Sequence, residues 1–229
     1  MSQPEQTPSR PHFWFRKGDT LDTPFGRLRA HLHVSLKDHG ILRALWSNLE
    51  EIAPGVWRSN HPSPKRLQRY RDMGIKTVLN LRGANGNAGY LLEKEACDRL
   101  GLPLVSHPIN ARALRPAADY LALLDLFETL PRPFVFHCKS GADRAGLTSA
   151  FYLLHMRGAS IAEAKKMLNW RYMHLKFTRA GILGALLERY EADFAREALP
   201  LKQWLETRYD AAAITAEFTR QRNRPVARK

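Results

Sequence analysis

The sequence predicts an α/β domain with a central, mostly parallel sheet flanked by helices, and with further helices added at the N- and C-terminal ends. Strand-like and helix-like stretches alternate through the middle of the chain, as when strands are joined by helical crossovers. The last third is largely helical by its apolar spacing. With 229 residues, 44% of them apolar, the chain holds one full-sized domain plus appended segments, which excludes a disordered chain or a disulfide-stapled miniature.

Residues 1–24 are rich in Pro, Thr, Ser and Asp, with an aromatic cluster His12-Phe13-Trp14-Phe15 suited to docking on the domain or on a membrane. From Phe25 to Trp46, Leu28, Leu32, Leu36, Ile41, Leu42 and Leu45 recur at three- and four-residue steps among Arg27, Arg29, Lys37 and Arg43. That pattern predicts a basic amphipathic helix, broken near Gly40, packed by its apolar side on the domain; contact with an anionic membrane is the alternative. Val56-Trp57-Arg58-Ser59 reads as a strand and Pro64 to Met73 as a helix ending at Gly74. Lys76 to Arg82 is a buried strand by its β-branched and apolar content, and it runs into the glycine-rich loop Gly83 to Gly89. A helix from Leu91 to Leu100 closes at Gly101, and Leu102 to Ile109 is the next strand. Ala117 to Leu130 is helical until Pro131-Arg132-Pro133 stops it before the strand Phe134-Val135-Phe136. Ala145 to Arg157, Ile161 to Trp170, Arg179 to Ala198 and Pro200 to Arg222 read as helices, and Arg220, Arg222, Arg224, Arg228 and Lys229 form a basic tail. These signals divide the chain into an N-terminal extension (1–50), a main domain (51–198) and a C-terminal helix with its tail (199–229).

A formal charge of +14 draws the protein towards phosphate-rich partners, whether nucleic acid, anionic lipid headgroups or phosphorylated substrates. No recognition-helix or stacking-platform motif accompanies that charge, so no nucleic-acid partner is expected. No G-x-G-x-x-G follows a strand, which removes a dinucleotide site. The chain shows no apolar run long enough for a membrane span, and its polar start lacks the core of a signal peptide. Two cysteines, Cys97 and Cys138, suit a reducing compartment, so the expectation is a cytoplasmic protein, at most peripheral at the membrane. His107, His155 and His174 show no metal-ligand spacing and read as structural; no metal or other cofactor is expected.

The chemistry concentrates in His137-Cys138-Lys139-Ser140-Gly141-Ala142-Asp143-Arg144, set between the strand 134–136 and the next helix. A tight loop entering a helix N-terminus turns successive backbone N–H groups inward and adds partial positive charge, so its concavity binds a tetrahedral dianion. The same field favours a thiolate, which makes Cys138 a nucleophile. Arg144 supplies a guanidinium fork for two phosphate oxygens.

This C-x5-R loop, with His137 before it and a helix after it, resembles the signature of the cysteine-based protein tyrosine phosphatases. The strand Val78-Leu79-Asn80-Leu81-Arg82 is similar to their bacterial dual-specificity-like branch, and the likeness spans roughly Glu51 to Tyr190. The resemblance implies metal-independent phosphomonoester hydrolysis: Cys138 attacks phosphorus, and water then hydrolyses the phosphocysteine. Arg144 with Lys139, Ser140, Gly141 and Ala142 would cradle the phosphate, and His137 and Arg82 would join in substrate binding. Many members carry a general-acid Asp after the preceding strand, but His107 to Pro116 holds no carboxylate. Asp143 is the replacement candidate, as in Asp-Arg endings of myotubularin-like and Sac-like phosphoinositide phosphatases. Asp119 is the second, and the alternative for Asp143 is a pairing with Lys139 or Arg144 that only shapes the loop. Ala145 replaces the Ser or Thr that usually follows the arginine, which implies slow hydrolysis of the phosphoenzyme. The implied substrate is a phosphorylated protein, chiefly phosphotyrosine; the alternatives are a phosphoinositide or other anionic phospholipid, or a phosphate-recognition module with vestigial activity. Arg58, His61, Arg112 and Arg115 are weaker candidates for substrate contact. Cys97 reads as a small core residue, with a reversible disulfide to Cys138 as the alternative.

Overall fold

The computed structural model describes residues 13–16 and 18–223. Strands β1 (Glu50–Ala53) and β2 (Val56–Ser59) form an antiparallel hairpin through Gly55, whose φ of 74° suits glycine. Strands β3 (Thr77–Asn80), β4 (Leu104–Ser106) and β5 (Phe134–His137) complete a five-stranded sheet of order β1-β2-β5-β3-β4, in which β2, β5, β3 and β4 run parallel. The register aligns Ser59, His137, Asn80 and Ser106 at one edge. Every loop that leaves this carboxyl edge can therefore contribute to one site, and β5 occupies the centre.

The period-two alternation of the strands divides the core. Leu79, Phe134 and Phe136 face Tyr120, Leu123, Leu124 and Phe127 of the helix Ala117–Thr129 and Leu147 and Phe151 of the helix Asp143–Arg157. Val78 and Val135 face the other way, onto Leu67 and Tyr70 of the helix Pro64–Asp72 and Ala96 and Cys97 of the helix Ala88–Leu100. The strand expected to continue through Ile109 is regular only as far as Ser106. Ladder-like bonds from His107 and Ile109 to Asn80 and Leu81 extend it beyond that.

Three expectations change. The helix predicted over Ile161 to Trp170 stops at Lys165, because the Met167 carbonyl is taken by the Arg58 guanidinium and Asn169 caps a separate turn, Trp170–Tyr172. The C-terminal helix is two helices, Leu201–Thr207 and Ala211–Arg222, since the Asp210 carboxylate accepts from the Ala212 and Ala213 N–H groups and starts a new one. Leu201, Trp204, Leu205 and Ile214 lie in the main core, so the segment after residue 198 is part of the domain and not an appendage.

The third change concerns the N-terminal helix. It runs over Pro24–Leu32, widens over His33–Lys37, breaks at His39 and resumes over Gly40–Leu45. Part of its apolar stripe does not face the domain: Phe25, Leu28, Leu36 and Ile41 are at least half exposed. The small residues Gly26 and Ala30 pack inward instead, with Ala30 clustered on Phe15, Leu21, Ala88 and Leu92. Gly26 lies so close to the Thr20 carbonyl that a Cβ would sit 2.5 Å from its oxygen. Ion pairs of Arg27 with Glu95 and Arg29 with Asp19 hold this face down. His12 and the tail residues Arg224, Arg228 and Lys229 lie outside the described residues. Among the described residues no helix is long and apolar enough to cross a membrane.

Trp204 is fully buried, donates from Nε1 to Asp193 at 3.0 Å and meets the rings of Tyr190 and Tyr209 edge-on. Trp204→Ala should lower the stability of the whole domain by about 3–5 kcal/mol, read as one cooperative shift of the denaturant midpoint. A separate, earlier transition for the C-terminal helices would show instead that they fold apart from the sheet.

Candidate active site

The loop between β5 and the helix Asp143–Arg157 is held from outside by its carbonyls. Lys139 O accepts from the His61 backbone N–H at 3.2 Å, Ser140 O from Asn48 Nδ2 at 2.9 Å, and Gly141 O from Arg58 Nη2 at 2.6 Å. Across a trans peptide the N–H points opposite to the preceding C=O, so this outward row of carbonyls turns the N–H groups of Ser140, Gly141 and Ala142 to the inner side. Gly141 has φ of 74°, and a Cβ there would stand 2.7 Å from the Asn48 Cβ and 2.9 Å from the Asn60 nitrogen. Only glycine fits that position.

Arg58 lies beneath the loop with no exposure, its guanidinium carbon 3.7 Å from the centroid of the Tyr172 ring. It reaches the Met167 carbonyl at 3.1 Å, and Tyr172 donates to Glu50 at 2.6 Å. Burial pulls the Arg58 pKa down, while the neighbouring Tyr172, Cys138 and Glu50 act to keep it charged. This buried cation braces the loop that carries Cys138 from a strand well outside the signature segment.

Cys138, Lys139, Ser140, Asp143 and Arg144 open on a cavity of about 830 Å³, closed on its other sides by residues of the 108–115 loop and by Met173, Leu175 and Arg179. Gly141 and Ala142, expected in the phosphate cradle, are not among its walls. Asp143 binds neither Lys139 nor Arg144; its Oδ1 lies 2.7 Å from Nδ1 of His174, a buried side chain that sequence spacing marks only as structural. Asp119 is absent from the walls and pairs with Arg115 at 2.6 Å. Arg112 and Arg115 line the cavity, as the sequence allows. Ala145 is fully buried behind the loop.

Several expected substrate contacts lie elsewhere. Arg82 is turned to Asp38 of the N-terminal segment, with contacts of 3.0 and 3.3 Å, and does not reach the cavity. Lys139 lines the cavity, but its Nζ is 2.9 Å from the other Asp38 oxygen, and Arg43 adds a contact of 2.8 Å. Burial alone would raise the Asp38 pKa; the Arg82 charge and the hydrogen bonds from Arg43 and Lys139 outweigh it and hold the carboxyl well below the usual carboxylate range. His137 is fully buried, its Nε2 2.5 Å from Glu93 Oε1, and it acts behind the loop rather than on a ligand. His61, Glu93 and His137 each place one donor atom within 4.8 Å of the others, the one such metal-capable grouping among the described residues, and none of them lines the catalytic cavity. Burial, then the adjacent His137, lowers the His61 pKa well below its ordinary value. Arg58 and His61, weighed as substrate contacts, instead support the loop from behind.

The sheet also separates the thiols. Cys97 belongs to the cluster on one face and Cys138 to the cluster on the other, so an intramolecular disulfide does not fit this fold. Burial, with Glu93 and Asp98 nearby, pushes the Cys97 pKa up to about 12.

A parallel sheet that delivers a cysteine into an anion-binding loop, with an arginine entering the following helix, defines a cysteine-based phosphatase of the tyrosine phosphatase type. Residues 50–164 match the model of the tyrosine phosphatase family, and the chain belongs to that family. Among solved structures it is similar to P. aeruginosa TpbA, with 21% identity over 66% of this chain and 90% of that one and a TM-score of 0.54. A Cys-to-Ser form of TpbA in complex with phosphotyrosine aligns at 20% identity over 67% and 94%, also with a TM-score of 0.54. A Shewanella putrefaciens protein described as a candidate phosphatase aligns at 18% identity over 67% and 95%, with a TM-score of 0.50. No curated protein matches the chain in sequence.

Iodoacetamide at neutral pH should modify Cys138 alone, abolish turnover and be slowed by inorganic phosphate; peptide mapping that finds Cys97 labelled in the native protein would contradict the assignment. Asp38→Asn should leave Arg43, Arg82 and Lys139 without their shared anion and cost about 3 kcal/mol of stability. Because the folded carboxyl titrates below its unfolded value, that deficit should hold from neutral pH down to the ordinary carboxylate range and close only in stronger acid. Denaturant titrations of both proteins across pH measure it.

Proposed function

We propose that the protein hydrolyses phosphomonoesters through a phosphocysteine intermediate. The observation that carries this is the outward row of carbonyls from Lys139 to Gly141, which turns three consecutive N–H groups to the inner side beside Cys138 and Arg144, that of Ala142 held at 3.4 Å by Ser140 Oγ until a phosphoryl oxygen takes its place. Donors fixed before the substrate arrives stabilise the charge that develops in the transition state. The Cys138 thiolate forms the S–P bond as the P–O bond to the leaving group breaks, and the leaving oxygen takes a proton from Asp143. Water then attacks phosphorus and gives a proton to the Asp143 carboxylate, which restores the acid, while the S–P bond breaks and the thiolate and inorganic phosphate are released. None of the steps calls for a metal. His174 is a positioning residue that fixes the Asp143 carboxylate.

Two substrate classes fit this chemistry. Family membership supports a phosphotyrosine-bearing protein, and so does the phosphotyrosine held by the TpbA variant. The cavity wall supports a multiply charged phosphoester such as a phospholipid headgroup: it carries Arg112, Arg144 and Arg179, with Arg115 and Lys139 paired to Asp119 and Asp38, against the wall carboxylate of Asp143, and no aromatic ring to stack on a phenyl group. The two free cysteines fit a reducing, cytoplasmic setting.

Phosphate release without added metal, from a phosphotyrosine peptide and from phosphoinositide vesicles, tests the proposal with Cys138→Ser as the blank. Asp143→Asn should slow poor leaving groups by roughly a hundredfold and activated aryl phosphates far less. Equal losses on both would remove Asp143 as the acid, and phosphopeptide binding with no wild-type turnover would make this a recognition module.

A further inference from the structure

We propose that the loop 170–177 is a bilayer-docking element that seats the catalytic mouth on an anionic membrane, where the substrate is a phosphomonoester headgroup. The loop joins the short helix Ile161–Lys165 to the long helix Ile182–Glu197 and carries an unusual set of exposed apolar side chains. Trp170 is 83% and Phe177 76% exposed, and Met173 and Leu175 are close to half exposed. Between and beside them stand Arg171, Lys176 and Arg179.

The pattern has a structural cause. Tyr172 and His174 point inward and are buried, Tyr172 under Arg58 and His174 on Asp143. The alternate positions Met173, Leu175 and Phe177 are thereby turned outward. The backbone is fixed as well: Asn48 Nδ2 donates to the Tyr172 carbonyl at 3.1 Å, and the Asn169 side chain caps the turn. Solvent-facing positions on a loop held this firmly would ordinarily carry polar residues, yet here they carry Met, Leu and Phe.

Charge and shape select the occupant. Trp170 and Phe177 project with most of their surface in water, which suits insertion among lipid headgroups. Trp and Phe prefer that depth, and interleaved Arg and Lys meet anionic lipid phosphates. Met173, Leu175 and Arg179 also line the catalytic cavity, so a bilayer touching the loop lies at the mouth above Cys138. This deepens the phosphatase reading and rests on it, but binding and catalysis can be scored apart.

Full-length protein is sedimented with vesicles of phosphatidylcholine, with and without phosphatidylglycerol, at low and high salt. Wild type and Cys138→Ser should bind the anionic vesicles alike and release as salt rises. The double variant Trp170→Ala, Phe177→Ala alters residues outside the cavity wall; it should bind about tenfold more weakly or worse, with p-nitrophenyl phosphate hydrolysis unchanged. Vesicle binding by the double variant equal to wild type, or no binding by wild type, would overturn the proposal. So would loss of binding only in Leu28→Gln, Leu36→Gln, which would place the contact on the N-terminal helix. Self-association of wild type that the double variant abolishes would identify a protein interface instead. Intact vesicle binding without p-nitrophenyl phosphate turnover would count against the phosphatase reading alone.

Discussion

The site depends on one buried cation. Arg58 extends from β2 under the catalytic loop and binds the Gly141 and Met167 carbonyls while lying against the Tyr172 ring. Removing a guanidinium from water is costly, and the cost is offset only where its donors are satisfied and negative groups are near. Here Nη1 and Nη2 are met by the Met167 and Gly141 carbonyls while Nε has no partner among the described residues, and Tyr172, Cys138 and Glu50 lie close enough to help keep the group charged. A neutral side chain of similar volume would fill the space, but it would leave those carbonyls without donors and free to turn inward. The inward side would then present oxygens to a dianion.

The same dependence explains what the sequence disclosed and what it withheld. The strand 134–137, the loop and the following helix are legible because their signals are local: an apolar run, a glycine at a positive φ, and helical spacing beyond Arg144. The supports are not local. Arg58 is 83 residues from Gly141, Asn48 is 92 from Ser140, and His174 is 31 from Asp143. The parallel register places Arg58 of β2 beside β5, and the loops around Asn48 and His174 close on the same edge, which nothing in the spacing of a single sequence encodes. Asp119 and Arg82 misled for the related reason that each lies near the right loop but is claimed by a neighbour, Arg115 and Asp38 respectively.

The N-terminal helix shows a different limit. Its periodicity correctly marks a helix, but periodicity assigns the apolar stripe to the interior, and here Gly26 and Ala30 decide the contact face by allowing close backbone approach. Hydrophobic patterning ranks faces by transfer free energy, whereas a helix laid flat on a neighbour is also limited by how near it can come. Asp38 adds a specific lock at the end of that segment. By engaging Lys139, Arg82 and Arg43 it neutralises part of the positive charge beside the loop while leaving Arg144, Arg112 and Arg179 to the cavity.

The Asp143 and His174 pair shows how a carboxyl can sit inside the loop after β5 without cancelling its cations. The His174 side chain is buried and its Nδ1 lies 2.7 Å from Asp143 Oδ1, so one oxygen of the carboxyl is taken by a residue 31 positions away and not by a loop cation. Had Asp143 paired with Lys139 or Arg144 instead, it would have reduced the charge that those side chains offer to a phosphoryl group. The histidine keeps the carboxyl and the cations of the loop apart.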